Sequence, residues 1–425
     1  MKRYQFLLPL FCLSFILTGC LKDQCIEKRT FIRFDPVYRS LEQLETPLSV
    51  QASRDIRSPG IVYVYKNLIL VNEFRDGIHI IDNTDPQNPV LKAFIDMEGN
   101  EHFAVSHDQI QANKFNALVT IDISDPSNPV EKNRVYNAFN QIYQDSGRGF
   151  LVYFRQTDQV LTLDCSDPNF NSLRWSEERG GPFFVRAEAF TFSSGAKAGS
   201  DMSNSAGTGG STARFTIVGD YLYAVSENDL KVFGLKDPGK PVMVSEVNIG
   251  WGIETIYPFK DKLFIGSSSG MFVYDISDPS QPRLLSSFDH ARACDPVISD
   301  GNTAYVTLRD GTTCEGFNNQ LDVIDVSNMS SPYLVKTYPM DRPIGLAKYN
   351  NTLFVCEGDL GVKIMDATDR KNIKQIHRLK QWHAYDVIAL ADAHLLVIGN
   401  DGLIQWDVSK DKSPVQLSYL PVYRD

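Results

Sequence analysis

Apolar positions along this chain come in short runs of about five to eight residues, separated by polar turns carrying Gly, Asp or Asn. Residues 213–248 show the plan, reading "ARFTIVGD", "YLYAVSEN", "DLKVFGLKD" and then "PVMVSEVN". The next stretch repeats it as "ETIYPFKDK", "LFIGSSSG", "MFVYDISD" and "PRLLSSFD". Runs that alternate, or are dense in Val, Ile, Tyr and Phe, suit a pleated surface, so each unit predicts four short strands. A helical period never extends beyond a turn or two; Tyr38, Leu41 and Leu44, ahead of the array, give one short case.

The strands belong to a repeat. "DISDPSNPV" at 122–130 returns almost unchanged as "DISDPSQPR" at 275–283, and weaker versions bring the number of copies to eight. The aligned position falls at Asp82, Asp122, Asp164, Gly234, Asp275, Asp325, Asp366 and Asp407. Spacing is about 41 residues, except for gaps of about 70 and about 50. The longer gap holds a Gly/Ser-rich tract, residues 193–212, which has little apolar surface to bury and predicts a mobile loop. Four strands per period of 40–45 residues is the signature of a β-propeller blade. One blade leaves both faces of its sheet uncovered, whereas blades packed radially cover them. The prediction is therefore an all-β fold: a single closed propeller over residues 49–425, with eight four-stranded blades and seven as the alternative. Phe31–Tyr38 is expected to clasp the final strand near Leu420–Tyr423, closing the ring.

The repeated phrase sits between third and fourth strands, where the chain must reverse. The strand-end Asp can accept from the backbone N–H two residues on, and Pro pre-sets φ for the first central turn position. The second Pro removes a donor from an outermost strand and discourages edge pairing. A cation site built on Asp122 and Asp125 is the sharper alternative, but the phrase lacks the Gly and terminal Glu of a calcium loop.

Composition narrows the partners. A net charge of −10, with no Lys/Arg block, argues against nucleic acid. The N-terminus is more telling. Lys2 and Arg3 precede an apolar run, "FLLPLFCLSFIL", too short to span a bilayer, and "LTGC" ends at Cys20. This resembles a bacterial lipobox. Residues 1–19 are then the signal, Cys20 carries the lipid, and residues 20–48 form the tether and clasp. Acyl chains at roughly 0.8 kcal/mol per buried methylene would hold the protein firmly on a membrane. Five further cysteines remain in an oxidising compartment: Cys25, Cys165, Cys294, Cys314 and Cys356. The number is odd, so at least one is free.

"GIHIIDNTDPQNPV", "LVTIDISDPSNPV" and "QLDVIDVSNMSSP" resemble LVIVD repeats. The order lipobox, "PVYRSLEQL", "GIHIIDN", "GGSTARF", "CDPV" and "NQLDVID" is similar to propeller lipoproteins of that family from Bacteroidetes. The resemblance implies an exported propeller lipoprotein and brings no catalytic set to carry over. The residues after Cys20, "LKDQ", lack an Asp next to the Cys, which by the same resemblance points to the outer membrane, facing either the periplasm or the cell surface.

Candidate chemistry lies where copies differ. Aligning the innermost strands places Glu101, Glu254, Asp295 and Asp386 at one rim of the central channel, with His102, His290 and His383 nearby. Such a ring could hold a divalent cation or the hydroxyls of a glycan. Trp251, Trp382 and Tyr385 occupy loops of the same face and could stack on sugars or peptides. Cys294 and Cys314 are expected to meet there as a disulfide, which in the chain-entropy model stabilises by roughly 3 kcal/mol. Cys165 and Cys356 lie on strands and are expected to be free, buried thiols. No G-x-S-x-G elbow, H-E-x-x-H or P-loop occurs. The expected role is a non-enzymatic, membrane-anchored scaffold or binding module for an envelope protein or glycan, without cofactor. A metal-dependent binder, or a hydrolase- or lyase-type enzyme at the acidic rim, is the alternative.

Overall fold

The computed structural model describes residues 27–425 except 140–141, 173, 177–180, 187–207, 210, 212, 227, 268–269, 290–295, 310–318, 391–392, 411–412 and 424–425. The expected signal, the expected lipidation site Cys20 and the expected pair Cys294–Cys314 lie outside the described residues, as do Asp295 and His290.

The fold is all-β, and eight sheets answer the eight copies. Seven contain a four-strand meander, at 59–96, 103–135, 215–248, 253–289, 297–339, 346–379 and 386–421. The third copy lies in a five-stranded sheet, ordered Tyr143–Asp145, Gly149–Asp164, Lys28–Arg39, Phe183–Arg186, Arg174–Ser176. Contacts divide the chain into two compact units. One takes residues through Asp35 with Gln156–Ala187, and the other takes Pro36–Arg155 with Glu188–Asp425.

Within the larger unit the first strands of the seven meanders touch in succession, and Phe103–Ser106 of the second copy packs directly on Phe215–Val218 of the fourth. The last sheet meets the first through Tyr385, Ile388 and Leu396 packed with Val62, Ile69 and Val71. Second and third strands are covered on both faces, so they read as nearly continuous apolar runs; Leu68–Glu73 is buried throughout. Fourth strands lie at the edge, as in the largely exposed Val242–Asn248, except in the first sheet, where Ser49–Ala52 pairs outside Val90–Asp96. Each fully buried Leu, Ile, Val or Phe contributes about 1.5–3 kcal/mol. The one helix among the described residues, Leu41–Glu45, is held by a capping box between Ser40 and Gln43.

The repeated phrase folds as a turn. Asp82, Asp122, Asp164, Asp275, Asp325, Asp366 and Asp407 each accept from the N–H two residues on, at 2.8–3.0 Å. Asp125, offered above for a cation, accepts from Ser127 N–H and Asn128 Nδ2, while Asp122 also pairs with Lys132 at 3.1 Å. Loss of "DP" is tolerated: Asn328 and Asp369 bond the same N–H groups without Pro.

The turn also does something its sequence does not announce. Its carbonyls accept side-chain donors from the preceding blade. Gln111 donates to Pro238 O at 2.8 Å, Tyr223 to Pro279 O at 2.8 Å and Tyr338 to Arg370 O at 2.9 Å. Ser286 reaches Met329 O, and Gln405 reaches Pro86 O at 3.2 Å, carrying the pattern across the closure.

Three expectations are corrected. Phe31–Phe34 pairs with Phe183–Arg186, not with the final strand. Phe34 stacks on Phe183 at 4.9 Å, and Phe31 is buried with Leu163 and Phe170, so these aromatics satisfy each other. Closure falls instead to Ile56, which bridges Val422 and accepts from Tyr423 N–H at 2.8 Å. Cys165 is exposed and disulfide-bonded, its partner lying outside the described residues, whereas Cys356 is the buried free thiol among those described. Lastly, the end of the Gly/Ser tract is not loose. Thr208–Gly209 pairs with Tyr63–Val64 at the inner edge of the first blade.

Candidate functional site

An antiparallel meander sends the loop before its first strand and its second hairpin to one end of the blade, and the repeated turn to the other. The first end is the rim. Glu101 precedes the strand Phe103–Ser106, Glu254 is the second residue of Ile253–Phe259, and Asp386 opens Asp386–Leu390.

These residues share a level on the rim but different fates. Glu101 is bound by Arg75 Nε at 2.5 Å, and the same guanidinium donates to Phe154 O at 3.0 Å and covers the rings of Phe74 and Tyr153. The loop that presents Glu101 is fixed by amides. Asn113 Oδ1 accepts from the N–H groups of Glu101 and His102 at 2.9 and 2.7 Å, and Asn72 Nδ2 donates to Asn100 Oδ1 at 2.7 Å. His102 packs against Phe215 at 5.9 Å, and burial followed by the nearby Arg214 charge holds it neutral, down to about 3. Glu254 lends its carbonyl to Arg214 Nε at 3.3 Å. Asp386 is fully buried and closed to solvent. Burial first, then the charges of Asp386 and Glu357, pushes the Cys356 thiol well up, so it is an inert core residue. Among the described residues no three His, Cys, Asp or Glu side chains come together as a metal site.

Sequence reasoning missed two buried carboxylates on the same face. Glu73 and Glu357 each open a second hairpin written Glu-x-x-x-Gly, "EFRDG" and "EGDLG". Gly77 and Gly361 are required there by positive φ, and a Cβ at either would lie 1.9 Å from a carbonyl oxygen of the fourth strand. Six residues after each Glu comes a basic partner. Glu73 meets His79 at 3.2 Å, with Arg54 at 2.5 Å, while Glu357 meets Lys363 at 2.7 Å and Arg378 at 2.6 Å. Burial raises the Glu73 carboxyl, but bonds from His79 and from the Arg57 and Ser58 N–H groups outweigh it and hold the group at about 2. Shared spacing, Glu-x5-His and Glu-x5-Lys, is the signal that could have found them. These clusters lock hairpins. A nucleophile–base–orienter arrangement is not among their contacts.

With its charges paired, the rim exposes apolar side chains. Trp251 is 77 % exposed, the most of any large apolar residue described, and Phe74 and Leu360 stand half exposed at the tips of the Glu-x-x-x-Gly hairpins. Trp382 lies half buried against Tyr419 at 4.6 Å, and Tyr385 is a core residue whose hydroxyl donates to Pro59 O at 2.9 Å. At the opposite end, a cleft of about 840 Å³ lies between the sixth and seventh copies. Its cations are already committed, Lys348 to Asp300 at 3.0 Å and Arg370 to Asp325.

Among known proteins, the family model of the LVIVD repeat matches residues 112–137, 209–249, 263–290 and 293–339. No curated protein matches. Similar solved structures include the computationally designed Ika8 protein, 9 % identical over 88 % of this chain and 92 % of its own, TM-score 0.50. A protein from Lactobacillus plantarum is 11 % identical over 85 % and 98 %, TM-score 0.50, and Sqt1 from Saccharomyces cerevisiae 7 % over 88 % and 88 %, TM-score 0.50. At such identities the likeness speaks for the fold alone. The chain is a β-propeller that carries LVIVD repeats.

Proposed function

We propose that this protein is an outer-membrane lipoprotein, tethered by lipidated Cys20, whose propeller is a non-enzymatic binding or scaffold module for an envelope protein or glycan. One observation carries the reading: a rim whose Arg75–Glu101, Glu73 and Glu357 clusters are satisfied internally still exposes Trp251, Phe74 and Leu360. Exposed aromatic side chains above a rigid frame are the usual anchors of recognition, because they bring large contact area with little ordering entropy. The reading calls for no cofactor.

Crosslinking pull-down from intact cells tests it. Trp251→Ala is expected to lose the captured partner by at least about tenfold, a cost of about 1.4 kcal/mol or more, with Tm unchanged. Unchanged capture by a Trp251→Ala, Phe74→Ala double variant would sink the rim reading. Cys20→Ser is expected to move the protein from the membrane fraction to the soluble one, and protease treatment of intact cells distinguishes a periplasmic from a surface-facing propeller.

A further inference from the structure

The end of the Gly/Ser tract makes contacts that a linker does not need. Thr208 and Gly209 add a strand to the inner edge of Pro59–Tyr65, opposite Val64 and Tyr63. Ser211 is fully buried, and its Oγ accepts from Leu346 N–H at 3.2 Å, on the first strand of the seventh copy. Ala213 O accepts from Ile256 N–H at 3.0 Å, on the first strand of the fifth. One short segment thus bonds three innermost strands that belong to different parts of the ring, so it crosses the central channel.

The residue types fit that path. A Cβ at Gly209 would lie 2.4 Å from the Tyr63 ring. That ring cannot swing away: it packs on Phe103 at 5.0 Å, and its hydroxyl donates to Phe215 O at 2.5 Å. An open inner edge would otherwise present unpaired N–H and C=O groups to the channel, which an added strand satisfies.

We propose that the inner edge of Pro59–Tyr65 is a strand-accepting site for a glycine-rich extended peptide, and that the chain fills it with its own Thr208–Gly209, Ser211 and Ala213 adding bonds to two further innermost strands, as an internal plug. Peptide recognition by strand addition draws affinity from main-chain bonds and specificity from side-chain fit. Here the fit is the absence of a side chain at Gly209. The channel is therefore closed from within, and a partner segment entering it must displace the plug.

Gly209→Val breaks the seat without touching the blades. In that variant the plug is expected to come free, and the Val64, Leu346 and Ile256 amides to exchange with deuterium at least about tenfold faster than in the parent. A synthetic peptide, GTGGSTA, is expected to bind the variant and restore slow exchange, whereas the same peptide with Val for its second Gly (the residue matching Gly209 in the chain is its third position) fails. If Gly209→Val does not fold, Ser211→Ala replaces it, with faster exchange confined to Leu346 as the expected result. Unchanged exchange in whichever variant folds, or a folded Gly209→Val protein that does not bind the peptide, would overturn the proposal.

Discussion

Two stretches that share a closing pattern of apolar residues, Thr and Asp end in different surroundings. "ALVTID", Ala117–Asp122 of the second copy, is the third strand of a blade and is buried through Ile121. "QVLTLD", at 159–164 in the third copy, ends the 16-residue strand Gly149–Asp164, and Gln159, Val160 and Thr162 are exposed there. Yet both run into the same turn. Ser124 N–H donates to Asp122 at 2.9 Å and Ser166 N–H to Asp164 at 2.9 Å. The phrase specifies a reversal of the chain, and the segments before it decide whether that reversal belongs to a blade. In the second copy two short hairpins cut the chain into strands of four and six residues. In the third, "RQTDQ" at 155–159 puts five polar residues in a row where a buried second strand would need apolar ones.

The largest way to break the comparison is to truncate aligned positions. Leu118→Ala is expected to cost about 2–5 kcal/mol in chemical denaturation, and Val160→Ala, at a site 64 % exposed, less than about 0.5 kcal/mol. Equal costs would mean that the third copy is buried as the second is. Next comes the bond between blades. Tyr338→Phe removes the donor to Arg370 O and the acceptor for Ile373 N–H, and about 0.5–1.5 kcal/mol of stability per bond should go with it.

The smallest effect is the one both copies should share. Asp122→Ala and Asp164→Ala are each expected to accelerate exchange of the bonded Ser124 and Ser166 amides to a similar degree, whatever their surroundings. Acid sharpens the test. Bonds from the Ser124 N–H and hydroxyl hold the Asp122 carboxyl at about 2, and bonds from Ser166 hold Asp164 below its usual range. A depressed folded value means that the carboxylate's contribution is complete above its unfolded value, about 4, and is lost as pH falls toward 2. Asp122→Asn is expected to flatten that part of the stability–pH profile, measured as Tm between pH 5 and 2.

The propeller was legible because its signals are local and repeated: strand periodicity, the 41-residue spacing, and an Asp whose job needs only its own backbone. Strand bounds in the fourth and fifth copies follow the apolar runs closely, as in Tyr221–Val225 and Gly270–Asp275. The clamp between blades was not legible, since Gln111, Tyr223, Tyr338 and Gln405 have no single residue type, strand position or motif in common. Their common feature is reach, and reach appears only once the next blade is in place. At the rim, alignment located Glu101, Glu254 and Asp386 at or just before the starts of their strands but could not tell a rim group from a buried one. Burial of Asp386 and the Arg75 partner of Glu101 come from other segments. The disulfide at Cys165 was hidden too: the residue expected on a strand lies in the turn just after Gly149–Asp164, and a sequence does not say what lies beside a thiol.

The meeting of Ile56 with Val422 has a consequence for how such a chain is built. Each of the seven meanders is made from four consecutive strands, and the last borrows none from the first. Because the chain enters and leaves the ring at one point, the order of blades along the gene is a convention rather than a requirement. A circular permutant, with its old ends joined across Ile56–Val422 and new ends cut in the exposed turn at Asp278, should fold to the same ring. Gain or loss of a whole copy is likewise a change in circumference that leaves each remaining sheet intact.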